Sequence, residues 1–156
     1  MPSPPELNNE LYSALPEALR QELSSHSETG IAARGTRLVE KGAPPAGVII
    51  LSAGTAESTV TVAGREVSLG IDRPGKVFAL HPIMTGAQPE VTVTCLEECR
   101  VMIVPRAVFL DFLERHPEMY FAVGKVLSAD LASADRVIRE CARGFPPTSG
   151  SSLRPV

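Results

Sequence analysis

The sequence predicts a mainly β protein of the α+β class, an antiparallel barrel or sandwich with helices before and after it. Three observations predict this. Between Ile31 and Val104 glycines recur at Gly35, Gly42, Gly47, Gly54, Gly64, Gly70, Gly75 and Gly86, a turn signal every few residues. Between them lie short β-prone runs, "GVIILSAG", "STVTV", "REVSLGI", "VTVTCL" and "CRVMIV". Many short, evenly spaced strands define barrels and sandwiches. On both sides of this region the apolar spacing turns helical.

Taken in order, residues 1–10 read as a flexible arm and 11–143 as one domain. "LPEALRQELSSH" places Pro16 at a first helical position, with Ala18, Leu19 and Leu23 as a short apolar stripe. "TVTVAGREVSL" predicts a hairpin turning at Ala63-Gly64, and "VTVTCLEECRVMIV" a second hairpin turning near Glu97-Glu98. The β region is expected over about 31–104. "PRAVFLDFLERH" opens with Pro105 and carries Phe109, Leu110, Phe112 and Leu113 as an apolar stripe. A long helix follows over about 117–143, from Pro117 to a stop at Gly144. Residues 144–156, rich in Pro, Ser and Gly, read as a disordered tail.

The long helix carries two apolar stripes. Phe121, Val123 and Val126 form one. Tyr120, Gly124, Leu127, Leu131, Ala134, Ile138 and Cys141 form the other, stepping by alternate fours and threes. Such a seam has the 3.5-residue period with which helices meet other helices. At 1.5 Å per residue it would run about 33 Å. A homodimer joined along this seam is expected, set against packing of both stripes on the chain's own domain.

Composition excludes several classes. Formal charge is −3 and aromatic residues are 4% with no Trp, which argues against a basic nucleic-acid surface or a stacking platform. No apolar run approaches a membrane span, so no membrane association is expected. The N-terminus lacks the basic and apolar regions of a secretory signal. Cys95, Cys99 and Cys141 are an odd number in a chain large enough to fold without staples, so reduced thiols and a cytoplasmic location are expected. His26, His81 and His116 are scattered, without the paired spacing a metal site needs. His81 reads as a surface imidazole and His116 as a residue that caps or precedes the long helix. No Ser/His/Asp or Cys/His arrangement follows from spacing, so neither catalysis, a metal nor a cofactor is expected.

The order of helix, glycine-timed strands, short helix and long terminal helix resembles the cyclic-nucleotide-binding domain of the Crp/Fnr regulators. Three stretches carry the resemblance. "LVEKGAPPAGVIILSAGTAEST" is similar to the family's Lys-Gly turn, strand and "leu-ser-gly" turn. "IDRPGKVFAL" is similar to its "pro-gly-x-x-phe-gly-glu". "CRVMIVPRAVFLDFLERHPEMYFAVGKVLSADL" is similar to its last strand, short helix, "his-pro" and dimer helix. The resemblance covers roughly Leu15 to Ala142. It implies an antiparallel β-roll, a double-stranded β-helix of jelly-roll or cupin-like form, with short N-terminal helices and a long C-terminal dimerisation helix.

In that family a cassette after the phenylalanine binds the ligand. A Gly and a short helix offer N–H groups to the cyclic phosphate, a Glu takes the ribose hydroxyl, and an Arg at the next strand pairs with the phosphate. Carried onto this chain, Phe78 keeps its place, the Gly becomes Ala79 and the Glu becomes Leu80, with Ile83 and Met84 as the next apolar pair. Anchoring on Thr92-Val93 puts Pro89 where the Arg belongs, and a one-residue slip puts Glu90 there. Between Val77 and Val93 there is neither Lys nor Arg. The expected pocket is therefore a degenerate one formed by Phe78, Ala79, Leu80, His81, Ile83, Met84, Pro89 and Thr92. Losing one partner of a buried charge pair costs roughly 3–5 kcal/mol, which would take micromolar affinity to millimolar. The resemblance implies a non-catalytic regulatory or scaffolding module that acts through an unnamed protein partner. The alternative is a sensor of a cyclic nucleotide or another small effector. The family's helix-turn-helix has no counterpart in Phe145–Val156, so no DNA binding through this chain is expected.

Overall fold

The computed structural model describes residues 15–144. Helix α1 (Glu17–Ser25) precedes strands β1 (Glu28–Ala32), β2 (Arg37–Val39), β3 (Gly47–Ala53), β4 (Ala56–Val62), β5 (Arg65–Asp72) and β6 (Val77–Phe78). Helix α2 (Leu80–Thr85) leads to β7 (Val91–Cys95) and β8 (Cys99–Pro105), then to α3 (Arg106–Arg115) and α4 (Met119–Gly144). Two four-stranded antiparallel sheets form, in the orders β1-β8-β3-β6 and β2-β7-β4-β5. This is the expected mainly β roll with flanking helices. The arm and tail lie outside the described residues.

Two apolar cores share the first sheet. From β3, Ile49 and Leu51 face the roll interior with Val39, Phe78, Val93 and Val101, while Val48 and Ile50 face the helices. The helical core adds Leu23, Leu80, Ile83, Phe109, Phe112, Leu113, Met119, Val123 and Val126. A strand covered on both faces has no polar side, which is why "GVIIL" and "VMIV" run unbroken instead of alternating. Each fully buried Leu, Ile or Phe contributes about 1.5–3 kcal/mol.

Ala63 (φ 51°) and Gly64 (φ 78°) turn β4 into β5, both left-handed, as a two-residue hairpin turn requires. The second expected hairpin does not form. β7 pairs with β2 and β4, whereas β8 pairs with β1 and β3, so Leu96–Glu98 crosses between sheets. The crossing is fixed by bonds to the β3–β4 turn: Leu96 N–H donates to Thr55 O at 2.9 Å and Thr55 Oγ1 donates to Glu97 Oε2 at 2.7 Å. Gly54 makes this stacking possible. Its φ is 89°, and a Cβ there would lie 2.5 Å from Glu98 O.

Helix α4 also differs from expectation. Val123 and Val126 are buried, but their third member is Met119; Phe121 is 74% exposed, beneath Lys125 Nζ at 5.3 Å from its ring centroid. Positions 119, 123 and 126 share a face at 3.6 residues per turn, and 121 does not. On the proposed seam Tyr120 and Leu131 are exposed, Gly124, Ala134 and Ile138 are half-buried, and Leu127 packs against the helical core. The side chain of Cys141 is outside the described residues.

Candidate functional site

The cassette starts at Ala79, whose left-handed φ of 69° turns the chain from β6 into α2. Leu80 and Ile83, one turn apart, are 2% and 1% exposed in the helical core, and Met84 packs half-buried against them. Phe78 points the other way, into the roll interior. His81 is exposed. The carboxyl end of α2 is closed by two donors: Gly86 N–H to Pro82 O at 2.8 Å, and Arg106 Nε to Ile83 O at 3.2 Å. A cation there complements the negative end of the helix. Downstream, Pro89 is buried and its carbonyl accepts from Gly42 N–H at 3.0 Å. The half-buried Thr92 Oγ1 accepts from Lys41 N–H at 3.1 Å. The expected pocket residues are thus divided among two cores, a loop contact and solvent.

Where β5 ends, the roll holds polar groups that the motif did not reveal. Ser58, 7% exposed, donates to Asp72 Oδ2 at 2.6 Å. Burial pushes the Asp72 carboxyl up from its ordinary value, against the Ser58 hydrogen bond and the Lys76 charge that hold it down; Asp130 and Glu57 raise it further. Lys76 Nζ donates to Asp130 Oδ1 at 2.6 Å. Lys76, just before the cassette in sequence, is therefore paired with a helix carboxylate, while Arg106 is the cation that touches α2. One signal for this was legible: Asp130 continues the 119, 123, 126 spacing of the buried stripe.

Two other groupings are accounted for structurally. Cys95 and Cys99 are buried in the roll core, and burial, then the neighbouring Cys99, pushes the Cys95 thiol up to about 12. A thiol so held is a poor nucleophile. His116 Nε2 lies 3.0 Å from Glu22 Oε2, and Arg115 Nη1 donates to Glu22 Oε1 at 2.5 Å, binding α1 to the α3–α4 elbow. Among the described residues no group of three His, Cys, Asp or Glu side chains converges to hold a metal, and no helix is long and apolar enough to cross a membrane. A concavity of about 200 Å³ lies on the polar face of the second sheet, lined by Arg37, Lys41, Thr59, Glu66, Glu90 and Thr92.

Two antiparallel sheets with a short helix between β6 and β7 and a long helix at the end define a helix-flanked β-roll. The family model "Cyclic nucleotide-binding domain" matches residues 32–116, more than half of the 156 residues, and the chain belongs to that family. The fold is shared with Crp/Fnr regulators. The catabolite activator protein of Thermus thermophilus is 16% identical with a TM-score of 0.72, over 81% of this chain and 60% of that one. A Crp/Fnr-family transcriptional regulator from Eubacterium rectale is 17% identical with a TM-score of 0.69, over 83% and 62%. The regulatory domain of Toxoplasma gondii PKA, solved with cAMP, is 19% identical with a TM-score of 0.61, over 67% and 40%. The chain thus spans less than two thirds of each of these relatives' lengths. No curated protein matches it.

Proposed function

We propose that the chain is a non-catalytic regulatory or scaffolding module whose roll no longer takes cyclic nucleotides and which acts through protein contacts. The observation that carries this reading is the fate of the cassette. Leu80, at the position of the ribose-binding Glu, is core, and Pro89, at the position of the phosphate-binding Arg, is buried and neutral. The nearby charges are unfavourable as well. Asp130 is paired with Lys76, and an anion drawn there would face that carboxylate. The same reading makes the chain a cytoplasmic homodimer joined through α4, with Cys95 and Cys99 as reduced thiols.

Titration calorimetry with cyclic AMP and cyclic GMP tests it. No dissociation constant below about 10 μM, roughly −7 kcal/mol, is expected. Tighter binding of either nucleotide would overturn the reading. Family membership and the cAMP-bound Toxoplasma relative favour a second reading, a sensor of a cyclic nucleotide or another effector in the roll. A thermal-shift panel of uncharged and charged small molecules separates the two, because a ligand of the native state raises the melting temperature by mass action.

A further inference from the structure

The second sheet turns Ala56, Val93 and Cys95 into the roll interior, and its other face is polar. The concavity of about 200 Å³ lies there. Its floor is hydroxylic: Thr59 and Thr92 are partners across β4 and β7, and Thr61 stands two residues further along β4. Arg37 of β2 and Lys41, just beyond that strand, line one side. Glu66 of β5 lines the other side, three strands across in the order β2-β7-β4-β5, and Glu90 immediately precedes β7.

Much of the bonding capacity of these groups is unused. Among the described residues, the Lys41 ammonium, the Glu90 carboxylate and the Thr61 hydroxyl have no hydrogen-bond or ion-pair partner. Thr92 Oγ1 accepts from Lys41 N–H at 3.1 Å, which leaves its hydroxyl proton to donate. Thr59 Oγ1 donates to Glu66 Oε1 at 2.8 Å, which positions that carboxylate and leaves Oε2 to accept. Arg37 donates to Glu40 Oε1 through Nη1 at 3.0 Å and keeps its remaining donors. Two cations and two carboxylates therefore line one polar hollow. A phosphate would meet the carboxylates and a polyamine would meet the cations, whereas a ligand charged oppositely at its two ends finds a complement at each. Strands about 4.8 Å apart put β2 and β5 about 14 Å from each other, and inward-reaching side chains shorten that gap to the length of an extended peptide of two or three residues, about 7–11 Å. Hydroxyls between the charged sides suit the amide groups of such a chain, because a hydroxyl both donates and accepts.

We propose that this concavity binds short zwitterionic peptides, with the C-terminal carboxylate on Arg37 and Lys41, the N-terminal ammonium on Glu66 and Glu90, and the amides on Thr59, Thr61 and Thr92. The site uses neither α2 nor α4, so it stands whether or not the roll takes a nucleotide.

Titration of the intact chain with triglycine at neutral pH, followed by amide NMR, tests the site. Saturable shifts are expected at the Thr59, Thr61 and Thr92 amides, half-complete below about 5 mM, with the Phe78 and Leu80 amides unmoved. Triglycine amide and N-acetyl-triglycine each lack one terminal charge and should bind about two- to fivefold more weakly, the range an exposed ion pair supports. Lys41→Gln and Glu66→Gln should weaken triglycine binding by a similar factor. Lys41→Gln should also shrink the loss caused by amidating the carboxylate, and Glu66→Gln the loss caused by acetylating the amine, because each pair then lacks a member already. Unmoved Phe78 and Leu80 amides confirm that the variants fold, and the capped peptides test the wild-type chain without any variant. The site is overturned if triglycine gives no saturable shift at the three threonines up to about 20 mM, if the shifts centre on Phe78 and Leu80, if inorganic phosphate or putrescine binds as tightly, or if the capped peptides bind as well as triglycine.

Discussion

Ala79 keeps a left-handed conformation that favours glycine. A non-glycine residue there costs roughly 1–2 kcal/mol, and a glycine loosens the unfolded chain by about 0.4–1 kcal/mol. Ala79→Gly should therefore stabilise the domain by about 0.5–1 kcal/mol, visible as a rise of about 2–4 °C in thermal unfolding. Asp72 and Glu22 bracket the acid response with opposite signs. The Asp72 carboxyl is raised in the fold, so the native state prefers its proton, and ionised Asp72 opposes folding at neutral pH. Asp72→Asn preserves the acceptor for Ser58 and should unfold at a higher temperature than wild type at neutral pH. That difference should vanish below the ordinary aspartate range, where wild-type Asp72 is protonated folded and unfolded alike. Glu22 is held low by the Arg115 and His116 hydrogen bonds, so its contribution is present above the ordinary glutamate range and is lost as pH falls through its lowered value. Melting curves of Asp72→Asn and Glu22→Gln across acid pH would show the two trends diverging.

At the scale of elements, α2 shows why a motif position is not a site. Alignment to the family puts Leu80 at a ligand-facing place, whereas packing puts it in the helical core beside Ile83. Restoring the acid by Leu80→Glu should therefore bring no affinity and should destabilise the domain by at least about 3 kcal/mol, as the lost Leu contacts add to a buried carboxylate. Denaturant unfolding measures the loss, and a variant of wild-type stability would show that α2 can rotate. The spacing of Leu80 and Ile83, i and i+3, already marked one apolar face of a helix; its direction depends on Ala79 and is not written in the period. Strand order was legible in part for the same reason. The glycine timing and the short β-prone runs predicted an antiparallel barrel or sandwich, whereas the burial of "GVIIL" and "VMIV" on both faces appears only in the packed structure. The turn at Glu97-Glu98 reads identically for a hairpin and for a crossing between sheets, and the close approach of Gly54 to Glu98, 44 residues away, decides it. Lys76 and Asp130 are 54 residues apart, and only the fold joins them.

The whole molecule presents Tyr120 and Leu131 on α4 to solvent, 48% and 72% exposed, and Gly124 has open space where a Cβ would be. A second copy packed along this helix would cover the side chains and use the small residues for close approach. Leu131→Glu sets a carboxylate against its symmetry mate and should yield monomers in sedimentation, with the roll still folded by circular dichroism. A wild-type chain that is already monomeric at micromolar concentration would remove the dimer from the proposed function. The pairing of the first strand with the last has a further consequence, for synthesis. Glu28 lies opposite Ile103, so β1 is made 75 residues before its partner. At 5–20 residues per second a nascent chain would wait about 4–15 s with Ile31 and its neighbours unpaired. Throughout that interval an exposed β edge is open to ribosome-associated chaperones and to the same strand on an adjacent polysome chain. Translation speed over β2 to β7 would then set how much of the product swaps its first strand instead of closing on itself.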